Sequence, residues 1–181
     1  MKGIIFTEFL GLVEEKFGLE TVEEIIEKAD LPSQGSYTAV GTYPFSEMLS
    51  LLKELSTKTT LSIDDLLYTY AEHFFGILVN NYPDLIKSYK DPIQMLSSIE
   101  NHIHIEVKKI YPEAELPSFE TLEKSDNHLI MIYRSSRAMY SFGLGLMHQT
   151  FAHFNLKADI LIEKIKADGT EVKFSIKKLD G

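Results

Sequence analysis

The first two thirds of the chain repeat apolar residues every three or four positions, which is the spacing of amphipathic helices. Gly18 ends the first of these patterns and Pro32 closes the second, because both residue types interrupt helices. Asp91 and Pro92 form a helix start ahead of the last pattern. The patterns predict helices over residues 4–17, 22–26, 45–55, 62–79 and 93–110.

From about Ser118 the spacing changes to the alternation typical of strands. Asp168 and Gly169 separate two alternating stretches and are a strong hairpin signal. We therefore predict an α+β fold, in which a helical N-terminal lobe precedes an antiparallel sheet of about four strands with one packed helix. We interpret residues 1–181 as a single domain. The predicted strands cover residues 118–123, 128–135, 159–166 and 171–178, and the helix covers 139–154.

Composition narrows the choice of partners and cofactors. The net charge of −9 argues against nucleic acid or an anionic membrane as the main partner, since both require basic patches. The absence of cysteine excludes disulfides, thiolate ligands and covalently attached c-type haem. No signal peptide or membrane-spanning apolar run is evident in the sequence, so we expect a soluble protein in the cytoplasm.

The two arginines of the chain lie together in Tyr133-Arg134-Ser135-Ser136-Arg137, directly after a β-branched, apolar stretch that predicts a strand. On an extended backbone, Tyr133, Ser135 and Arg137 would point to the same face. Two hydroxyls and a guanidinium on one face are suited to binding carboxylates or phosphate. The motif is also compatible with a strand end that carries an ordinary salt bridge.

His104 is predicted to lie on an apolar face of the helix over residues 93–110, whereas His102 shares its face with more polar residues. A histidine in such surroundings is commonly a hydrogen-bonded core residue. The same geometry suits a single axial ligand to haem iron. Because haem carries two propionate carboxylates, this hypothesis also accounts for the cation and the hydroxyls of the tyrosine-containing motif.

The sequence resembles the haem–nitric oxide/oxygen-binding (H-NOX) family over essentially its whole length. The resemblance implies that His104 is the proximal ligand of a non-covalent haem b held between the lobes. It also implies that Tyr133, Ser135 and Arg137 hold the propionates, and that Pro117 presses on the porphyrin and helps to distort it. The matching residues are Met1-Lys2-Gly3, His104 seven positions before Tyr111-Pro112, Pro117, Tyr133-x-Ser135-x-Arg137, Met139-Tyr140 and Gly145-Leu146.

The resemblance further implies a distal wall without hydrogen-bond donors. In oxygen-binding members of the family a tyrosine lies five residues beyond the motif arginine, and here that position is Phe142. We therefore expect the ferrous haem to bind nitric oxide and carbon monoxide but not oxygen. The residues implied for this wall are Ile5, Phe9, Phe74, Leu78, Phe142 and Leu146.

The leading functional hypothesis is a nitric oxide sensor that is not an enzyme. Nitric oxide is expected to release His104, and the resulting change would regulate a partner, which in this family is commonly a histidine kinase or a cyclic-di-GMP enzyme. The alternatives are a haem enzyme, either a peroxidase or a nitric-oxide-consuming catalyst, and an oxygen-binding member of the same family. A haem-free interaction module, in which Arg137 holds a structural carboxylate, is a further alternative.

Overall fold

The computed structural model describes residues 1–179 of the 181-residue chain. It confirms the predicted α+β class, since helices precede a four-stranded antiparallel sheet with a helix between its second and third strands. No helix within these residues combines the length and the apolar composition that crossing a bilayer would require. The elements are α1 (Gly3–Phe17), α2 (Leu19–Lys28), α3 (Phe45–Thr59), α4 (Ile63–Asn81), α5 (Pro83–Lys87), α6 (Pro92–Ser97), a π turn (Ile99–Ile103), α7 (His104–Ile110), β1 (Ser118–Lys124), β2 (His128–Arg134), α8 (Tyr140–His153), β3 (Lys157–Lys164) and β4 (Glu171–Leu179).

The chain divides into two compact units, of which the first covers Met1–Tyr70. Here α1 packs against α2, and α2 packs against α3. Gly18 joins α1 to α2 with a φ of 84°, a conformation that glycine adopts without a steric penalty. The hydroxyl of Tyr70 donates to the carbonyl of Ile5 at 2.7 Å, and the Tyr70 ring meets the edge of Phe9. These contacts fix the buried side of α1.

The second unit begins at Ala71 and contains the antiparallel sheet, in the order β1-β2-β4-β3. One face of the sheet is buried against α6 and α8, and it includes every second residue of β4 from Val172 to Ile176 and of β2 from Leu129 to Tyr133. The predicted hairpin turn is present, with Gly169 at a φ of 77° and Asp168 accepting the Thr170 N–H at 2.9 Å. The fully buried members of this core are Ile93, Leu129, Met131, Tyr133, Met147, Phe151, Val172, Phe174 and Ile176.

The helix predicted over residues 93–110 is not continuous. Asp91 caps α6 by accepting the N–H groups of Ile93 and Gln94, but α6 ends at Ser97. A π turn over Ile99–Ile103 follows, and α7 begins at His104. The wider π turn inserts residues into the helical repeat, so faces assigned by α-helical spacing do not carry across it. The α-helical spacing from which we assigned His104 to a face with residues before the turn is therefore interrupted, although the His104 side chain is largely buried.

Candidate functional site

The tyrosine-containing motif spans the end of β2 and the turn that follows it. The strand predicted to reach Ser135 ends at Arg134. Beyond it, the Ser135 N–H donates to the Thr170 carbonyl at 2.9 Å, and the Arg137 N–H donates to the Ser135 hydroxyl at 3.2 Å. Strand alternation therefore does not continue through the motif. The turn, rather than an extended backbone, determines where its later side chains lie.

The turn nevertheless brings the three predicted side chains together. Tyr133 is almost fully buried, and burial raises the pKa of its hydroxyl. Interactions with the Ser135 side chain and the Met139 backbone, and the charge of Arg137, oppose that increase. The Ser135 hydroxyl therefore lies beside Tyr133 and also accepts the backbone N–H of Arg137, while the guanidinium of Arg137 acts on the Tyr133 hydroxyl through its charge.

Arg137, in the second unit, pairs with a carboxylate of the protein itself. One guanidinium N–H donates to the carbonyl of Glu115 at 2.9 Å, and another donates to the Glu115 carboxylate. The side chain of Arg137 is only 16% exposed, whereas that of Glu115 is 83% exposed. The guanidinium is thus held near the protein interior, and its carboxylate partner lies on an open side chain. This geometry suits recognition of a carboxylate.

Arg134 lies in different surroundings, as its alternate position on β2 predicts. Its side chain is exposed and forms ion pairs at 2.7 Å with Glu120 on β1 and at 2.7 Å with Glu171 on β4. Arg134 also lowers the pKa of Glu171. Exposed pairs of this kind contribute little to stability. Arg134 therefore provides a matched comparison for Arg137.

His104 is the first residue of α7, and its side chain is 15% exposed. Its Nδ1 lies 3.0 Å from Oε1 of Glu100, and the same oxygen accepts the backbone N–H of Phe119 at 2.8 Å. Burial lowers the pKa of His104 and outweighs the opposing effect of Glu100, so the neutral imidazole predominates at neutral pH. When Nδ1 donates to Glu100, Nε2 keeps a free lone pair, which is the form that ligates metals.

Aromatic rings connect His104 to the motif. The ring of Phe119 lies 6.0 Å from that of His104 and 5.5 Å from that of Tyr133. Pro117, implied by the family resemblance, lies immediately before β1 and two residues before Phe119. The start of β1 therefore lies between the histidine and the carboxylate-binding group.

His102 belongs to another set of contacts. Its Nδ1 lies 2.5 Å from the hydroxyl of Tyr89, and the two rings are 5.7 Å apart. Tyr89 is part of a small core with Phe75, Ile86 and Met95. Within residues 1–179, the ring of His102 contacts Tyr89 and does not contact Phe119 or Tyr133. The ring contact with Phe119, which itself contacts Tyr133, therefore distinguishes His104 from His102.

The residues implied for a distal wall are divided between the two units. In the second unit, the rings of Phe74 and Phe142 lie 5.8 Å apart, and Leu146 packs against the small core that contains Tyr89. Leu78 is half-buried on α4. In the first unit, Ile5 and Phe9 lie on α1 and contact Tyr70, as described above.

Two residues of α8 that carry hydrogen-bond donors, Tyr140 and His148, lie within six positions of Phe142 in the sequence. The ring of Tyr140 packs against Gly169, and the Nζ of Lys164 lies 4.6 Å from its centroid, so Tyr140 contacts the β3–β4 hairpin. His148 is half-buried, and burial lowers its pKa despite the opposing charge of Glu72. Phe142 lies between them in sequence and carries no donor.

Sequence reasoning did not identify Glu100 or Phe119. The four-residue spacing of Glu100 and His104 was a usable signal, because such pairs are neighbours on a helix. The contact from Glu100 to the Phe119 N–H joins residues 19 positions apart, and only the fold reveals it. Within residues 1–179, no three histidine, aspartate or glutamate side chains are grouped closely enough to hold a metal ion. Haem iron needs a single protein ligand, so the one histidine His104 fits haem better than a bare metal ion.

Comparison with known proteins defines the class to which this fold and site belong. The sequence model described as Haem-NO-binding matches residues 2–162. The chain therefore belongs to the H-NOX family of haem-binding gas sensors.

Three relatives illustrate the extent of the similarity. The unliganded Fe(II) H-NOX protein from K. algicida is 65% identical with a TM-score of 0.99, and the match covers 100% of this chain and 98% of that one. The H-NOX protein from Shewanella woodyi, in its Fe(II)CO state with IWP-051 bound, is 33% identical with a TM-score of 0.83 over 99% of this chain and 95% of that one. Soluble guanylate cyclase 89Db of Drosophila melanogaster is 26% identical over 157 residues, which are 85% of this chain but only 23% of that protein.

Proposed function

We propose that this protein senses nitric oxide with a ferrous, non-covalently bound haem b whose iron has His104 as its only protein ligand. The observation that carries the proposal is the pair of ring contacts from His104 to Phe119 and from Phe119 to Tyr133, whose hydroxyl is influenced by the charge of Arg137. A neutral imidazole close to a carboxylate-binding group supports haem, because haem is a cofactor that needs both. Bound haem would supply an iron that takes a diatomic gas on the side opposite His104.

In this proposal Tyr133, Ser135 and Arg137 hold the propionates. Arg137 is the main contributor, because a largely buried guanidinium forms strong, oriented bonds to carboxylates. Its bonds to the Glu115 carboxylate and carbonyl support this role. We assign Pro117 the role of pressing on the porphyrin, since its rigid ring immediately precedes β1.

We further propose that the distal wall excludes oxygen. Bound oxygen accumulates negative charge on its outer atom, and a donor in a dry pocket stabilises that charge by about 1.5–3 kcal/mol. Nitric oxide and carbon monoxide need little such help. The proposed wall consists only of aliphatic and phenyl side chains, namely Ile5, Phe9, Phe74, Leu78, Phe142 and Leu146.

The same wall argues against an enzyme. Peroxidase or nitric-oxide-consuming chemistry usually relies on a distal acid or base that moves protons. None of the six side chains can exchange a proton. We therefore propose a sensor without catalytic activity.

Signalling would depend on release of His104. Nitric oxide weakens the bond opposite to it, so His104 would leave the iron and α7 would lose its tether. The position of His104 at the first residue of α7, directly after a π turn, supports a movable helix. The two conformations would differ in affinity for a partner in the cytoplasm, which we propose to be a histidine kinase or a cyclic-di-GMP enzyme.

The first prediction tests the ligand. His104→Gly should lose haem, or retain it only when imidazole is supplied, because no other side chain would reach the iron. His102→Ala should retain haem, since it removes only a contact to Tyr89. The haem-to-protein absorbance ratio after purification measures both variants. The reverse pattern would assign the ligand to His102.

The second prediction tests the propionate-binding group. Arg137→Ala should leave a partly buried propionate unpaired, at a cost of about 2–5 kcal/mol. Transfer of haem to an excess of apomyoglobin should therefore be much faster than in the unmodified protein. Arg134→Ala is the matched control, because it removes the same charge from an exposed ion pair. Equal transfer rates in the two variants would contradict the proposed role of Arg137.

The third prediction tests gas selectivity. The ferrous protein should form no stable oxygen complex in air, because a missing donor of about 1.5 kcal/mol or more lowers oxygen affinity by at least tenfold. Phe142→Tyr should raise oxygen affinity, whereas the apolar control Phe142→Leu should not. Absorption spectra under air and under carbon monoxide measure these outcomes. A stable oxygen complex in the unmodified protein would show that a donor such as Tyr140 or His148 reaches the ligand.

A further inference from the structure

We propose that Glu100 is a positioning residue that fixes the orientation and donor strength of His104. The inference rests on the proposed function, in which His104 binds iron. Glu100 itself would not touch the iron or the gas. It would act only through the imidazole.

The inference is based on one carboxylate oxygen of Glu100 that contacts both His104 and Phe119. Oε1 of Glu100 lies 3.0 Å from Nδ1 of His104 and accepts the backbone N–H of Phe119 at 2.8 Å. The second bond fixes the carboxylate to the start of β1. Glu100 is thus anchored at a point outside its own helix, and it holds the imidazole from that point.

The local backbone makes this anchoring possible. Glu100 lies within the π turn, and His104 is the first residue after that turn. The Ile103 N–H donates to the Ser98 carbonyl at 3.2 Å, which is the hydrogen bond of the π turn. The side chain of His104 is 15% exposed and that of Glu100 is 37% exposed. The carboxylate therefore lies at the edge of the site, where water partly solvates its charge while one oxygen remains bonded.

The chemical consequence follows from the bond to Nδ1. A carboxylate that accepts the Nδ1 proton selects the tautomer with a free Nε2 and makes that nitrogen a stronger donor. A stronger donor strengthens the iron–histidine bond and favours ferric over ferrous iron. Because the same oxygen binds Phe119, the imidazole cannot rotate freely without breaking one of the two bonds.

The test uses the full-length, haem-loaded protein with Glu100→Gln, which keeps the side-chain shape but removes the charge. We expect a lower iron–histidine stretching frequency in the resonance Raman spectrum of the ferrous protein. We also expect a more positive ferric/ferrous midpoint potential. Glu100→Ala should shift both further in the same directions and should weaken haem binding by roughly tenfold or more, because removing the partner of a ligating histidine typically costs that much affinity.

The matched control is Glu106→Gln. Glu106 lies two residues after His104 on α7 and pairs with Lys109 at 2.6 Å, so the same charge is removed without a bond to the imidazole. This variant should leave the stretching frequency and the potential unchanged. If Glu100→Ala does not fold, the isosteric glutamine variant still gives both readouts.

The possible failures are distinguishable. If His104→Gly loses haem but both Glu100 variants match the unmodified protein in frequency and potential, the role of Glu100 is refuted and the proposed function stands. Equal shifts in Glu100→Gln and Glu106→Gln would show that the loss of any nearby negative charge changes the frequency and the potential. That result would also refute the positioning role of Glu100. If the unmodified protein binds no haem, or keeps it in His104→Gly, both proposals are contradicted.

Discussion

A neutral, immobilised imidazole at the start of α7 is the feature on which the rest of the site depends. Burial keeps His104 neutral, and Glu100 holds its Nδ1 at 3.0 Å. Phe119 contacts this imidazole with its ring and contacts Glu100 with its backbone N–H. Through the ring of Tyr133, the same residue reaches the carboxylate-binding group around Arg137. One short segment at the beginning of β1 therefore joins the proposed ligand to the proposed anion site.

In the proposed function, a small difference in binding free energy decides the selectivity between oxygen and nitric oxide. A single hydrogen bond of about 1.5–3 kcal/mol changes an equilibrium by about one to two orders of magnitude. Phe142 and Phe74 present only phenyl groups to each other, at 5.8 Å. Tyr140, two residues before Phe142, contacts the β3–β4 hairpin through Lys164 and Gly169.

Much of the fold followed from the sequence because local signals agreed with the tertiary arrangement. The alternation in β4 and the Asp168-Gly169 turn predicted the hairpin, and the sheet confirms it. The π turn before His104 was not predicted, since its apolar spacing resembles that of a continuous helix. The convergence of Tyr133 with Arg137 was predicted for a reason that does not hold, because β2 ends at Arg134 and a turn completes the group.

The candidate site was predictable only in part. The residue types and their order predicted an axial ligand at His104 and an anion-binding motif at Tyr133, Ser135 and Arg137. The roles of these residues toward haem remain proposals. The bond from Glu100 to the N–H of Phe119 joins distant segments through a backbone group, which no side-chain pattern encodes. Backbone contacts of this kind depend on how β1 packs beside the π turn, and they emerge only from the assembled fold.

The most direct test of the central claim is the absorption spectrum of the ferrous protein before and after addition of nitric oxide at room temperature. Before the gas is added, the haem should be bound by one histidine. The histidine bond should be lost when nitric oxide binds, whereas carbon monoxide should leave that bond intact. A spectrum in which the histidine remains bound in the presence of nitric oxide would contradict release of His104 as the signal.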